Sequence, residues 1–333
     1  MRIAEINDIA SVATEIGAGL QARGHEVGYI HPRLFGATLP PALKPITAPI
    51  RAPDWLDMVF RLRRGGYDLA HIHYAYLGNL GWLAGVPYIL HCHGSDVRNR
   101  TFLTRPLTRQ ALTHASHAFY ATPDLRQFLS GIRVDAEFLP NPIDLERFSP
   151  SAPARDARDV FLCSALTEIK GAATTLEACR QLASRRPDIR ITAYAGGEFA
   201  PEFDKLPTVT LIAHQPRWKI PEIVNRHAVI SGQVKVGAAG MAELEAMACG
   251  RPVITWFNHP GAYPEEPPFI NAPSAPAMAD AIERLIDNPT AREAAGAAGR
   301  AWIEKYHALD RIAARVEAVA RAIVDGRPVP PPD

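Results

Sequence analysis

The sequence predicts a doubly wound α/β fold repeated in two domains, and three observations lead there. Short apolar runs alternate with segments whose apolar residues recur at helical spacing. The chain has 333 residues, about twice the size of a common single domain. A Pro/Ala/Arg/Asp-rich stretch over 149–158 interrupts the alternation and reads as a linker. Strands that alternate with helices imply parallel pairing, because each connection must cross the sheet and the crossing helices then bury both faces.

Ile3 to Ile6 form the first strand. Val12, Ile16 and Leu20 follow at fourfold helical spacing, Gly24 stops that helix, and Val27 to Ile30 make the second strand. Leu69 to Ile72, Tyr88 to Leu90 and Ala118 to Ala121 continue the first sheet. Beyond the linker a second series runs through Val160 to Cys163, Ile189 to Tyr194, Val209 to Ala213, Val229 to Ile230 and Val253 to Thr255. Helices are expected near 172–183, 221–226 and 241–248, and three more close the chain within 273–286, 291–306 and 310–324. The domains are therefore placed at 1–148 and 159–307, with a last helix over 308–326 and a disordered tail over 327–333. Two such sheets are expected to face each other across a cleft at the carboxyl ends of their strands, where doubly wound sheets bind ligands.

Composition narrows the function. Lys and Arg total 36 against 35 Asp and Glu, so no global field holds a polyanion, and nucleic-acid binding has no support from charge. Cys92, Cys163, Cys179 and Cys249 are widely spaced without a Cys-x-x-Cys pair, as expected of reduced thiols in a cytoplasmic protein. The strand pattern begins at Arg2 without a charged, apolar, cleavable leader. Tyr76 to Leu90, the longest mostly apolar stretch, is too short and too interrupted to span a bilayer.

The most informative segment is GAAGMAELEAMACGRPVI, Gly237 to Ile254. Small residues from Gly237 to Gly240 let backbone approach a ligand closely, and the helix opening at Met241 presents free N–H groups and a positive dipole end suited to phosphate. Glu245, one turn in, could accept hydrogen bonds from ribose hydroxyls. A tightly packed helix with clearance glycines and surface glutamates would have the same sequence. In SALTEIKG, Ser164 to Gly171, Lys170 falls at a strand-to-helix turn where an ammonium could neutralise a diphosphate, although solvated lysines are common at helix starts.

Eight of the 12 histidines precede residue 150. His71 and His73 share one strand face, as do His91 and His93. Four imidazoles raise a zinc reading. Their spacing matches no strong metal signature and no acidic or thiolate ligand is evidently paired with them, so they are read as polar lining and no metal is assigned. His93 and Asp96, on the loop after the strand, are the candidates for contact with a reacting hydroxyl or for proton transfer, with Asp96 equally suited to capping the next helix. Gly17 to Ala22 satisfies G-x-G-x-x-A but lies inside the first helix, not at a strand-to-helix turn, which removes a nicotinamide reading. Trp55, Met58, Val59 and Leu62 make one apolar helix face flanked by Arg61, Arg63 and Arg64. Such a helix packs on its own sheet or lies on an anionic lipid surface.

At HGSD (His93 to Asp96), LPNPIDLERFSP (Leu139 to Pro150), Lys170-Gly171 and LEAMACGRPVI (Leu244 to Ile254), the chain resembles the family-four retaining glycosyltransferases of the GT-B fold. The resemblance implies that a nucleotide diphosphate sugar, a UDP-sugar by expectation, binds mainly to the second domain and a small-molecule or lipid-linked glycan acceptor mainly to the first. The last helix would cross back to the first domain. Glu245 would hold the donor ribose, Gly240 and Met241 would open the helix facing the diphosphate, and Lys170 would bind it. His93 would sit by the transferred sugar and Asp96 near the acceptor. Retention of configuration, no cofactor and no obligatory metal are implied, and the protein is expected in the cytoplasm, with peripheral contact at the inner membrane face through the helix around Trp55 to Arg64.

Two positions depart from the family pattern. Gly237 stands where a glutamate usually contacts the donor sugar, and Ala165 where an arginine usually precedes the turn lysine. Arg98, Arg217 or Lys219 could replace that arginine. A variant subgroup is the favoured reading. A non-catalytic nucleotide-sugar binder and a nucleotide-sugar 2-epimerase, which needs the same diphosphate cradle without an acceptor, remain as alternatives.

Overall fold

The computed structural model describes residues 1–33, 48–98, 104–151 and 158–332. They form two compact units, one of Met1–Pro142 with Leu309–Asp333 and one of Ile143–Ala308.

The first unit contains β1 (Arg2–Ile6), α1 (Val12–Ala22), β2 (Glu26–Ile30), α2 (Ala48–Arg64), β3 (Leu69–His73), α3 (Asn79–Ala84), β4 (Tyr88–Cys92), α4 (Ser95–Arg98), α5 (Thr104–His114), β5 (His117–Tyr120), α6 (Arg126–Leu129) and β6 (Glu137–Phe138). All six strands pair in parallel in the order β2-β1-β3-β4-β5-β6. One face sends Ala4, Ile6, Ile72 and Leu90 into a core with Met58, Leu62, Leu80 and Leu112 from the helices. The other carries Ile3, Glu5, His71, His73, Ile89 and His91, as alternation along a strand requires.

Of the apolar face expected on the helix around Trp55, Met58 and Leu62 are fully buried in that core, so α2 packs on its own sheet. Its outer side instead shows Leu56 and Phe60, 69% and 51% exposed, with the Arg64 guanidinium 4.1 Å from the Phe60 ring centre. Among the described residues no helix is long and apolar enough to cross a membrane.

The chain returns to this unit through a final helix, labelled α13 (Leu309–Val324) in chain order after the second unit's α7 to α12, and this helix packs against α1. Of the glycines that imitate a dinucleotide fingerprint, Gly19 makes room for this packing and Gly17 for Tyr29 of β2. A Cβ on Gly19 would lie 2.6 Å from the Ala313 Cβ, and one on Gly17 would overlap the Tyr29 hydroxyl. Two groups cross the seam to Glu317, Arg23 Nε at 2.6 Å and His25 Nε2 at 3.0 Å, and Arg321 Nη2 of the same helix adds a third bond at 2.7 Å. Farther along, Arg315 binds Glu137 and donates to the Pro330 carbonyl at 2.8 Å, which ties down a tail expected to be disordered.

The second unit contains β7 (Asp159–Leu162), α7 (Ala172–Arg185), β8 (Arg190–Tyr194), α8 (Ala200–Phe203), β9 (Val209–Ile212), α9 (Ile220–Arg226), β10 (Val229–Ser231), α10 (Met241–Ala248), β11 (Val253–Thr255), β12 (Ile270–Asn271), α11 (Ala275–Asp287) and α12 (Pro289–Tyr306). Its parallel order is β12-β11-β10-β7-β8-β9, the doubly wound arrangement in which the order reverses between the first and fourth strands. The unit begins earlier than the boundary expected after 148. Phe148 is fully buried with Phe161, Met247 and Trp302, and Arg300 Nη1 donates to the carbonyls of Phe148 and Ala248 at 2.7 Å each. The crossing therefore falls at Pro142 and Ile143. Within the expected linker, 152–157 lie outside the described residues.

The seam at Glu317 gives a pH prediction. Burial pushes this carboxyl up, but the bonds from Arg23, Arg321 and His25 outweigh it and hold the pKa down at about 2, below the ordinary 4.5. Its stabilising effect is therefore complete above pH 4.5 and is lost as pH falls towards 2. Glu317→Gln should lower stability near neutrality by about 1 kcal/mol, the upper range for solvent-accessible ion pairs. Urea unfolding across pH should show the gap from the parent closing at the acid end.

Candidate functional site

In the second unit the strand order reverses between β7 and β10, and a ligand site is expected at the carboxyl ends of these two strands. Both informative sequence segments emerge there. After β7 a short turn of helix, Glu168–Lys170, ends at Gly171, whose φ of +83° and close approach to Val234 exclude a side chain. Lys170 is half-buried, its carbonyl accepts from Val234 N at 3.1 Å, and its ammonium has no ion-pair partner among the described residues.

The loop after β10 is shaped by Gln233, which is fully buried. Its Nε2 donates to the carbonyls of Ala238 at 2.8 Å and Trp256 at 3.1 Å, while its Oε1 accepts from the N–H groups of Lys235 at 2.9 Å and Val236 at 2.6 Å. Glu243, in the first turn of α10, joins both ends of the loop. One carboxylate oxygen accepts from Gln233 N at 2.9 Å and the other from Gly240 N at 3.0 Å. Gly237 sits inside this loop at φ +77°, a conformation that suits glycine and strains any other residue. Gly240 and Met241 open α10 as expected.

Glu245 is buried in the next turn, where Arg217 Nε and Nη2 reach its Oε1 at 2.9 Å. Of the three cations considered as substitutes for the arginine absent at Ala165, Arg217 is the one that joins this group. Arg98 belongs to the first unit and is held by Asp124 at 2.6 Å, and the Lys219 ammonium lies 5.1 Å from the Trp218 ring centre. Lys170, Glu243 and Glu245 all act on the Cys163 thiol just after β7. Burial and the two carboxylates push its pKa up, and the Lys170 charge opposes them. Burial, Cys163 and Glu245 likewise push Tyr194 up to about 12.

In the first unit the order reverses between β1 and β3. Asn7, Ala10 and Ser11, after β1, have positive φ, as does Tyr74 after β3 at φ 105°. Such backbone strain gathers at functional sites. Asn7 Nδ2 donates to the His73 carbonyl at 2.9 Å, and Tyr74 N donates to the His91 carbonyl at 3.1 Å.

The structure gives Asp96 a positioning role. Its carboxylate accepts from Ala75 N at 2.9 Å, Gly94 N at 2.7 Å and His93 N at 3.2 Å, so both oxygens hold the loop that carries His93. Burial still raises its pKa above the ordinary value. His93 is half-buried, with Nε2 2.8 Å from His73 Nδ1, and burial with the neighbouring His71 pushes its pKa down to about 3, leaving it neutral.

Behind His93 the four expected imidazoles gather with a carboxylate that their own segments do not contain. Glu5 lies 3.1 Å from His71 Nδ1 and 2.9 Å from His73 Nε2. Burial raises the Glu5 pKa and lowers those of His73 and His91.

Sequence reasoning missed Gln233, Glu243 and Glu5. The G-x-x-E spacing of Gly240 and Glu243 is a capping signal, and a carboxylate inside the apolar run of β1 signals a buried partner. Nothing local marks Gln233, whose partners include a carbonyl 23 residues away.

Compared with known proteins, the chain matches the model "Glycosyltransferase Family 4" over residues 9–147 and "Glycosyl transferases group 1" over 157–288. It is 28% identical to a GDP-mannose-dependent monoacylated alpha-(1-6)-phosphatidylinositol monomannoside mannosyltransferase of Corynebacterium glutamicum, over 54% of this chain and 55% of that protein. The match thus spans about half the length of that relative. It is 25% identical to a D-inositol 3-phosphate glycosyltransferase of an Arthrobacter species, over 74% and 72%. Among solved structures, a sucrose-phosphate synthase from Thermosynechococcus elongatus aligns with a TM-score of 0.77 at 17% identity, covering 98% of this chain and 100% of that one, a likeness of fold.

The Gln233 network can be tested without a ligand. Gln233→Met keeps the side-chain length but removes every carboxamide bond to the loop. Stability should fall by about 2 kcal/mol, within the range for stranding buried backbone groups, measured by denaturant unfolding beside Gln21→Met, an exposed control.

Proposed function

For a chain that carries glycosyltransferase family 4 and group 1 domains on a GT-B fold, we propose transfer of a hexose from a nucleotide diphosphate sugar to an acceptor hydroxyl with retention of anomeric configuration. The observation that carries this reading is the grouping of Lys170, the Gly240 end of α10 and Glu245 at the β7/β10 reversal. A cation and a helix start favour the diphosphate, and a buried carboxylate suits a ribose diol. Arg217 orients Glu245 and supplies the positive charge that Ala165 does not. In the transfer the acceptor oxygen bonds to the anomeric carbon, the bond to the diphosphate breaks, and the acceptor proton goes to a departing phosphate oxygen. The chain's own residues bind, orient and neutralise charge.

Gly237 defines the variant subgroup, because its positive φ disfavours the glutamate found there in relatives. His93 is assigned to the transferred sugar on the resemblance, with Asp96 holding its loop. Both named relatives act on acceptors containing an inositol phosphate or phosphatidylinositol group, and a phosphorylated or lipid-linked polyol is the acceptor class proposed. Arg105 and Arg109 are exposed on α5 and available to it, whereas Arg98 is paired with Asp124 and Arg100 lies outside the described residues. Peripheral membrane contact is proposed through the outer side of α2, Leu56 and Phe60 with the neighbouring arginines, in place of the inward face.

Thermal unfolding against UDP, GDP, ADP and dTDP tests the donor site. Ligand at about 100 times its dissociation constant should add roughly 2.7 kcal/mol. Lys170→Ala and Glu245→Ala should each remove on the order of 1 to 3 kcal/mol of donor binding or transition-state stabilisation. Unchanged binding and turnover in both variants would overturn the site. Donor incubated alone should yield no epimer, and NMR of the transfer product should show the donor's anomeric configuration.

Membrane contact has a separate test. Sedimentation with vesicles containing phosphatidylglycerol should capture the parent chain, while Leu56→Ser/Phe60→Ser should stay in the supernatant and remain folded by circular dichroism.

A further inference from the structure

His71, His73 and His91 are each 0% exposed, and each offers one ring nitrogen within 4.8 Å of the others. We propose that these three histidines, with Glu5 orienting two of them, form a binding site for a single Zn²⁺-type cation on the inner face of the first unit's sheet.

The hydrogen bonds fix which nitrogens are available. With Glu5 ionised, its oxygens accept from His71 Nδ1 and His73 Nε2, at 3.1 and 2.9 Å. A neutral imidazole carries one N–H, so lone pairs remain on His71 Nε2 and His73 Nδ1. Among the described residues His71 Nε2 has no hydrogen-bond partner, and neither nitrogen of His91 has one. His73 Nδ1 faces His93 Nε2 at 2.8 Å. A carboxylate that receives the far N–H of metal-bound histidines is the usual outer partner of such ligands, and it fixes both tautomer and ring orientation.

Without a cation the arrangement is hard to explain. Each of the three unpartnered buried nitrogens gives up its hydrogen bond to water with nothing in return, and an apolar residue at position 91 would avoid two of those losses. A divalent cation gives the lone pairs a target and Glu5 a counter-charge. Imidazole ligands select Zn²⁺ and neighbouring transition metals over Mg²⁺ or Ca²⁺. Zn–N bonds of about 2.0–2.1 Å place tetrahedral ligand nitrogens roughly 3.4 Å apart, so nitrogens lying within 4.8 Å of one another need to close by up to about 1.4 Å. His93 is half-buried beside the three, its ring centre 4.5 Å from that of His91. The cation would tie the ends of β1, β3 and β4 together, and no part of the proposed sugar transfer runs through it.

The test uses the untagged full chain loaded with Zn²⁺ or Co²⁺ and freed of excess metal. Expected are one metal per chain by elemental analysis, a Co²⁺ visible spectrum of tetrahedral type, and a rise in Tm that a chelator reverses. His91→Phe, which keeps a ring beside Phe119, should lose metal binding by at least about 100-fold, and Glu5→Gln should weaken it roughly 10- to 100-fold. His114→Ala, on the exposed end of α5, should change neither. Should His91→Phe not fold, nitrogen-15 spectra of the parent decide, since three histidines should shift on adding Zn²⁺. Folded parent chain that retains less than stoichiometric metal and gains no Tm, unshifted histidines, or undiminished binding in a folded His91→Phe variant would each overturn the proposal.

Discussion

The loop that joins β10 to α10 in the second unit depends on one carboxylate. Glu243 accepts from Gln233 N as the chain leaves β10 and from Gly240 N as it enters α10, closing the intervening loop like a clasp. Inside it Gln233 neutralises four backbone groups that would otherwise be left without partners. A loop built this way can carry small residues and a positive φ at Gly237 without collapsing. The first turn of α10 is held rigidly in consequence, and rigidity is what lets backbone dipoles stabilise charge at low reorganisation cost.

The first unit solves the same problem with a different residue. Asp96, from the helix after β4, binds the N–H groups of His93 and Gly94 and reaches across to Ala75 after β3. The two loops at the carboxyl ends of neighbouring strands are thereby joined. In both units the stitching carboxylate lies at a helix start, where the dipole favours it, and the strand-order reversal is where loops are free to diverge.

Much of the fold was legible because it rests on local patterning. Alternating apolar runs marked the main strands, and Gly24 follows the end of α1 as the sequence pattern predicts. β6 and β12 were not legible: each has two residues, too few to show a period. The early start of the second unit was hidden because Phe148 reads as part of a loop until its contacts with Phe161 and Met247 are seen. Residue types at the candidate site were legible, but their division of labour was not. Asp96 and Glu243 turn out to hold backbone, and the partners of Glu5 lie 66 and 68 residues away.

That division bears on where an anion can bind. Asp96 already occupies the N–H groups of the His93 loop, so an arriving phosphate there would have to displace a buried carboxylate with three backbone bonds. Glu243 occupies only Gly240 N at the start of α10, and helix geometry leaves the following first-turn N–H groups without intrahelical partners. Lys170 adds a half-buried cation at the neighbouring strand end. The backbone donors that each carboxylate leaves free thus support the proposal that a diphosphate binds in the second unit, beside the motifs that first suggested it.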